Sequence, residues 1–262
     1  MVYTLGIDIG SSSSKAVIMA DGKEIISTAA VQVGTGTSGP GRVMEDVFKG
    51  TGLSAEDIAY TVATGYGRFS VKEADKQISE ITCHAKGIFH LIPGARTIID
   101  IGGQDAKAIR LGDNGNILQF YMNDKCAAGT GRFFEAMARS FELSLPEFSK
   151  LSLKAKNVIP ITAQCTVFAE SEVITLVGEG KAMDEIAAGI EMAVAKRCFV
   201  MAKKAGATDS ITLTGGCAKN DGLKEAIEHV LKLKVVELKT DPQLMGALGA
   251  AEYARQKGMA KK

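Results

Sequence analysis

The chain has 262 residues, 46% apolar and 23% charged, with 31 basic and 30 acidic side chains and a net charge of +1. Those values describe an ordinary globular protein of one large domain or two ordinary ones. They exclude the broad positive field that nucleic acid or an anionic membrane needs, and no apolar run reaches the roughly 18 residues of a membrane-spanning helix.

The N-terminus is expected to enter a strand at once, with no basic leader and no cleavage site, so no signal peptide is expected. The odd count of five cysteines, without export, points to a reducing interior and a cytoplasmic location. Tyr3–Ile9 reads as a strand, Ser14–Met19 as a second, and Asp21-Gly22 as a hairpin turn into a third, Lys23–Ala30. A Gly/Thr loop, Val33–Gly41, precedes a helix near Arg42–Lys49. Ala59–Thr64 is a strand, Gly65–Arg68 a turn, and Glu73–Ile92 has helical periodicity.

The opening pattern then recurs. Thr97–Ile101 is a strand, Gly102–Asp105 a turn, Ala106–Arg110 a second strand, Asn114-Gly115 a hairpin turn, and Ile117–Met122 a third strand. A unit that appears twice, half a chain apart, specifies architecture more strongly than either copy. After Cys126 helices are expected to about Lys204, apart from an apolar strand near Asn157–Ile161. Ser210–Thr214 is a strand, Gly215–Asn220 a Gly turn, Gly222–Leu231 a helix and Lys234–Leu238 a late strand. The small residues of Gly246–Ala254 suit a helix that packs closely on another element, and the Lys-rich end, Lys257–Lys262, suits a solvated tail.

The expected fold is α/β, with two similar duplicated lobes and a cleft between them. The first lobe is assigned to residues 1–95, with a C-terminal helix over 243–262 packing back on it. The second is assigned to residues 96–242.

Chemistry concentrates at the turns. Asp8-Ile9-Gly10 followed by Ser11, Ser12, Ser13, Ser14 and Lys15 reads as a phosphate-gripping hairpin: Gly10 allows close backbone approach and the serines supply donors. Asp8 ends a buried strand, where Mg²⁺ with phosphate oxygens would offset the cost of a lone carboxylate. Asp100, Gly102, Gly103, Gln104 and Asp105 form the matching turn. Gln104 suits the orientation of an attacking water, and Asp105 accepts from the donors around it. Asp8, Asp100 and Gln104 are the candidate catalytic residues. Gly215 and Gly216 offer a flat surface to adenine or ribose, with Asn220 closing that motif. A Gly-containing hairpin alone marks only a turn; three in this order point to ATP. No P-loop and no dinucleotide fingerprint is present.

Cys126 and Cys165 sit in similar contexts, each after short polar residues and ahead of an amphipathic run, hence at or near helix N-termini, which lower a thiol pKa. Two thiolates per chain are half of what a cubane iron–sulfur cluster needs. Cys83, Cys198 and Cys217 read as ordinary buried thiols, and no C-x-x-C is present.

The three nucleotide motifs, Leu5–Ile18, Ile98–Ile109 and Ile211–Asn220, resemble those of the actin, hexokinase and heat-shock-protein ATPase superfamily. Gly65–Arg68, Ala74–Glu80, Ile99–Asp105, Asn123–Gly131 and Cys165–Glu172 resemble, within it, the activators (archerases) of 2-hydroxyacyl-CoA dehydratases, a family related to the ATPase subunits of benzoyl-CoA reductase. The resemblance covers nearly the whole chain and implies that the two α/β lobes are actin-like (ribonuclease H-like), with the nucleotide in the cleft between them. It implies a homodimer with one four-iron, four-sulfur cluster held by Cys126 and Cys165 of each copy. It further implies ATP/ADP and Mg²⁺ at the nucleotide motifs, and ferredoxin or flavodoxin as electron donor. One low-potential electron would pass to a dehydratase, or to a benzoyl-CoA reductase or other double-cluster partner. Thr162-Ala163-Gln164 stands where family members carry Ser-Ser-Thr, which leaves the subfamily and its partner open. The competing readings are a small-molecule kinase of the same superfamily and a non-enzymatic nucleotide-dependent regulator with inert cysteines.

Overall fold

Alternating and fully apolar runs of β-branched residues build the two sheets of the chain. The computed structural model describes residues 1–163 and 165–258. Gln164 and the last four positions of the expected C-terminal helix lie outside the described residues. Two compact units divide the chain: Met1–Ala95 with Leu111–Ile117 and the segment from Leu238 on, and Arg96–Arg110 with Leu118–Glu237.

In the first unit β1 (Tyr3–Ile9), β2 (Ser14–Ala20) and β3 (Glu24–Val31) form an antiparallel meander, and β4 (Ile58–Thr64) adds to β1 in parallel. The short β5 (Lys76–Gln77) completes the order β3-β2-β1-β4-β5. In the second unit β6 (Thr97–Ile101), β7 (Ala106–Leu111) and β8 (Ile117–Asn123) repeat the meander, and β9 (Ile211–Thr214) adds to β6 in parallel, giving β8-β7-β6-β9. The duplicated unit is therefore real at the level of topology, and both halves are actin-like α/β lobes. β1 and β2 carry apolar side chains buried on both faces, as a central pair must.

Helix α1 (Gly39–Phe48) covers the first sheet through Val43 and Val47. Helix α2 spans Glu80–Leu91, and Ser79 caps it by accepting from the Thr82 N–H. The periodicity that extends back to Glu73 does not become helix, because Lys76 and Gln77 pair with Val62 and Ala63 as β5. The C-terminal α8 (Met245–Gly258) lies on β1 and α2. Gly6 faces the Ala247 carbonyl, Gly87 the Met245 carbonyl, and Gly249 the Cys83 carbonyl, each too close for any side chain. Gly249→Ala would drive a methyl into backbone atoms that cannot swing aside. The expected cost is about 3 kcal/mol, read as a fall in Tm of about 6–12 °C.

The second unit carries α3 (Gly131–Ser140), α4 (Leu145–Ser152), α5 (Thr166–Gly178), α6 (Met183–Lys204) and α7 (Asp221–Leu231). Its core holds Phe133, Phe134, Phe141 and Phe148, with the last two rings edge-to-face at 5.5 Å. Acidic Asp184 and Glu185 open α6 and Lys203 and Lys204 close it, matching its macrodipole.

Two expected strands are absent. Over 157–161 the Ile159 N–H donates to the Glu185 carbonyl (3.1 Å), and the Ile159 carbonyl rests on Gly189, so α6 satisfies this backbone in place of a neighbouring strand. Over 234–238 a single bridge joins Val235 to Ile211. The Glu228 carboxylate accepts from the Val235 N–H (2.9 Å) and takes a place that a ladder would use.

Candidate functional site

The two halves repeat a constellation, not only a topology. Asp8 lies opposite Lys15 in the β1–β2 register and beside Thr64 in β1–β4. Asp100 lies opposite Lys107 and beside Thr214 in the same way. Gly65 (φ +86°) and Gly215 (φ +82°) follow those threonines, and each rests against the carbonyl that ends the partner strand, Ile9 or Ile101. Only glycine fits there, because the backbone is left-handed and a carbonyl oxygen occupies the Cβ position. Lys107, Thr64, Thr214 and Gly65 escaped the sequence-based list of site residues. The signal for Lys107 was the same seven-residue step from Asp to Lys in both copies, and for the others the recurring Thr-Gly pair, Thr64-Gly65 and Thr214-Gly215.

The buried Asp8 is not alone. Lys15 Nζ approaches its carboxylate at 2.9 Å, with both side chains buried. Lys107 joins Asp105 (2.7 Å) and Asp100 (3.3 Å), and the Thr214 hydroxyl donates to Asp100 (2.8 Å). A lysine thus supplies in each half the compensation that the sequence reading assigned to Mg²⁺, and the burial of Asp8 does not by itself require a metal.

The turns are closed by backbone. The Gly10 N–H donates to Ser13 O and the Thr35 N–H to Gly10 O (both 2.9 Å). The Ser14 hydroxyl donates to Val33 O, whereas Ser12 Oγ is buried with no hydrogen-bond partner within the described chain. Ser11 and Ser13 are half-buried in the same turn. In the second unit the Gly102 N–H donates to Asp105 O, and the side chain of Gln104 is exposed. The carbonyls of Gly102 and Gly103 accept from the N–H groups of Gly131 (2.8 Å) and Arg132 (2.9 Å), the first residues of α3. Gly216 opens a short turn of helix, and Asn220 caps α7 by accepting from the Leu223 N–H (3.0 Å).

Behind Asn220 sits Glu191, buried on α6. Burial pushes its carboxyl up to about 7, against hydrogen bonds from Ser152 and Asn220 that favour the ionised form. Folded Glu191 holds its proton above the ordinary carboxylate range, so stability falls as pH rises from about 4.5 to about 7. Glu191→Gln is therefore expected to raise stability by about 2 kcal/mol at pH 8 and to change little at pH 5, by urea melts at both values.

The five thiols separate cleanly. Cys83, Cys198 and Cys217 are buried, and desolvation pushes each up to about 12. Cys126 and Cys165 are exposed. Cys165 is the N-cap residue of α5, as its context predicts. Cys126 departs from that expectation: it lies in the loop five residues before α3, where the Asn123 side chain donates to its carbonyl (3.0 Å). Glu172 on α5 accepts from the Thr162 and Ala163 N–H groups and the Thr162 hydroxyl, at 2.8–3.1 Å. Burial works against that carboxylate, and those hydrogen bonds hold it below its usual range. Among the described residues no group of three or more His, Cys, Asp or Glu side chains could hold a metal ion. Two exposed thiols fit a four-thiolate cluster only as half of its ligand set.

Residues 5–254 match the BadF/BadG/BcrA/BcrD ATPase family. The activator of lactoyl-CoA dehydratase from Anaerotignum propionicum is 57% identical over 253 residues, covering 97% of each chain. The (R)-2-hydroxyglutaryl-CoA dehydratase activating ATPase from Acidaminococcus fermentans is 48% identical over 259 residues, covering 98% of each. The solved structure of the activator of the 2-hydroxyisocaproyl-CoA dehydratase from Clostridium difficile with bound ADPNP superimposes with a TM-score of 0.96 at 46% identity, covering 99% of this chain and 97% of that one. The chain belongs to the BadF/BadG/BcrA/BcrD ATPase family. No helix among the described residues is long and apolar enough to cross a membrane.

Proposed function

We propose that the chain is an ATP-hydrolysing activator that passes one low-potential electron to a 2-hydroxyacyl-CoA dehydratase component. The names and near-complete overlap of its relatives support the ATPase and the partner class. The observation that carries the coupling is the pair of hydrogen bonds from Gly131 and Arg132 to the Gly102–Gly103 turn. A phosphate turn and the helix after Cys126 are thereby one backbone unit.

In this reading Gly10–Ser14 and Gly102–Asp105 grip the phosphates of Mg-ATP, with Ser12 donating its uncommitted hydroxyl. Gly215, Gly216 and Asn220 hold the adenosine. Lys15 and Lys107 hold the Asp8 and Asp100 carboxylates at the turns, where these would hold Mg²⁺. Gln104 orients the attacking water. Any shift of the Gly102–Gly103 backbone on hydrolysis is transmitted to α3 through two hydrogen bonds.

Cys126 and Cys165 of two copies hold one four-iron, four-sulfur cluster, which when bound supplies one-electron transfer. Val167, Phe168 and Ile174, exposed on α5 next to Cys165, are the apolar surface that the second copy covers. Ferredoxin or flavodoxin reloads the activator.

Protein purified without oxygen is expected to be brown, with about four irons per dimer, and to reduce an added dehydratase component only with ATP. Colourless protein that phosphorylates a small hydroxyl substrate would establish the kinase reading instead. Chelator extraction of iron is expected at different rates with ADP and ATP; equal rates would leave an ATPase with a passive cluster.

A further inference from the structure

Arg197 lies on α6 and touches both thiol-bearing segments. Its Nη2 points to the Ala163 carbonyl at 3.5 Å, two residues before Cys165. Ala163 is held from the other side too, because its N–H donates to Glu172 (2.8 Å). The stem of Arg197 packs on Gly129, three residues after Cys126: a Cβ there would sit 3.5 Å from Arg197 Cδ. Gly129 has φ +89° and turns the chain from Cys126 into α3. The guanidinium also stands 5.6 Å from the Phe133 ring, fully buried on α3. Burial disfavours its charge, and the nearby Cys126 sulfur opposes that effect.

We infer that Arg197 is a positioning residue for the two thiols, tying the segment that leads into Cys165 to the loop that carries Cys126 and placing a positive charge near Cys126. The inference rests on the cluster reading above for its redox consequence. Four thiolates around iron accumulate negative charge, which a cation beside them offsets. Arginine is planar and forked, so one side chain reaches the Ala163 carbonyl while its stem lies on Gly129. A positive charge near a cluster eases the addition of an electron, which is one of the few protein levers on a cluster's potential.

The test uses Arg197→Met, which keeps the apolar stem, and Arg197→Lys, which keeps the charge. One arm is potentiometric titration of the iron-loaded dimer at fixed ADP. Arg197→Met should lower the equilibrium constant for reduction by on the order of tenfold, and Arg197→Lys should leave it within about twofold of wild type. The other arm is hydrogen exchange of the iron-free protein, over residues 123–131 and 160–166. Both variants should exchange several-fold faster in both segments, with α7 unchanged. An unchanged equilibrium constant in Arg197→Met overturns the charge role, and unchanged exchange overturns the tether. Cys83, Cys198 and Cys217 should stay closed to thiol reagents; if Arg197→Met opens them, unchanged exchange in Arg197→Lys alone overturns the tether. Wild-type protein that binds no iron would refute the cluster reading, and the exchange arm would still decide Arg197.

Discussion

Cys126→Ala or Cys165→Ala is expected to abolish the iron chromophore of anaerobically purified protein, while Cys83→Ala, Cys198→Ala and Cys217→Ala keep it. The asymmetry follows from exposure. A ligand thiolate must reach iron and must lose its proton, and the three buried thiols do neither: they are enclosed, and desolvation raises them to about 12. The two exposed thiols sit at the surface of one unit, each at the end of a segment tied down by named hydrogen bonds. Loss of one per chain leaves two of four ligands in the dimer, too few for a cubane. Iron and sulfide assay, with absorbance near the thiolate-to-iron charge-transfer band, measures the outcome. Full iron in either of the first two variants would sink the assignment. The buried variants carry a cost of their own, a small cavity at a close-packed site, and should lose about 1 kcal/mol of stability while staying brown.

Gln104→Ala is expected to lower ATP turnover by roughly 100-fold with little change in nucleotide affinity. Gln104 is exposed at the tip of its turn, and the ion pairs of Asp105 and Asp100 with Lys107 lie beneath it. Its removal therefore leaves the turn standing and takes away only water placement. Asp100→Ala provides the contrast. It strips a carboxylate from the buried Lys107 and an acceptor from Thr214, so a loss of about 3 kcal/mol of stability should accompany the loss of turnover. Steady-state hydrolysis, nucleotide titration and a urea melt on both variants separate the two effects. Wild-type turnover in Gln104→Ala would remove Gln104 from the catalytic set.

The repeat was legible because it is written in local signals. Asx-Gly turns and strand alternation depend only on neighbours in sequence, and both recur in the two sheets. The start of α2 and the stretches 157–161 and 234–238 were not legible. Each has residues that suit more than one local state, and each was decided by a distant partner: Val62 and Ala63, the Glu185 carbonyl with Gly189, and the Glu228 carboxylate.

By itself the chain's order of residues determined two halves of one repeated topology, three glycine-containing turns at strand ends, and two cysteines with a shared polar-then-apolar context. Those features follow from backbone preferences and periodicity, which act over a few residues. Tertiary structure alone decided that Lys15 and Lys107 neutralise the buried aspartates and that Arg197 reaches both cysteine-bearing segments. Burial, ion pairing and reach are properties of atoms far apart in the chain, and only packing brings them within a few ångströms.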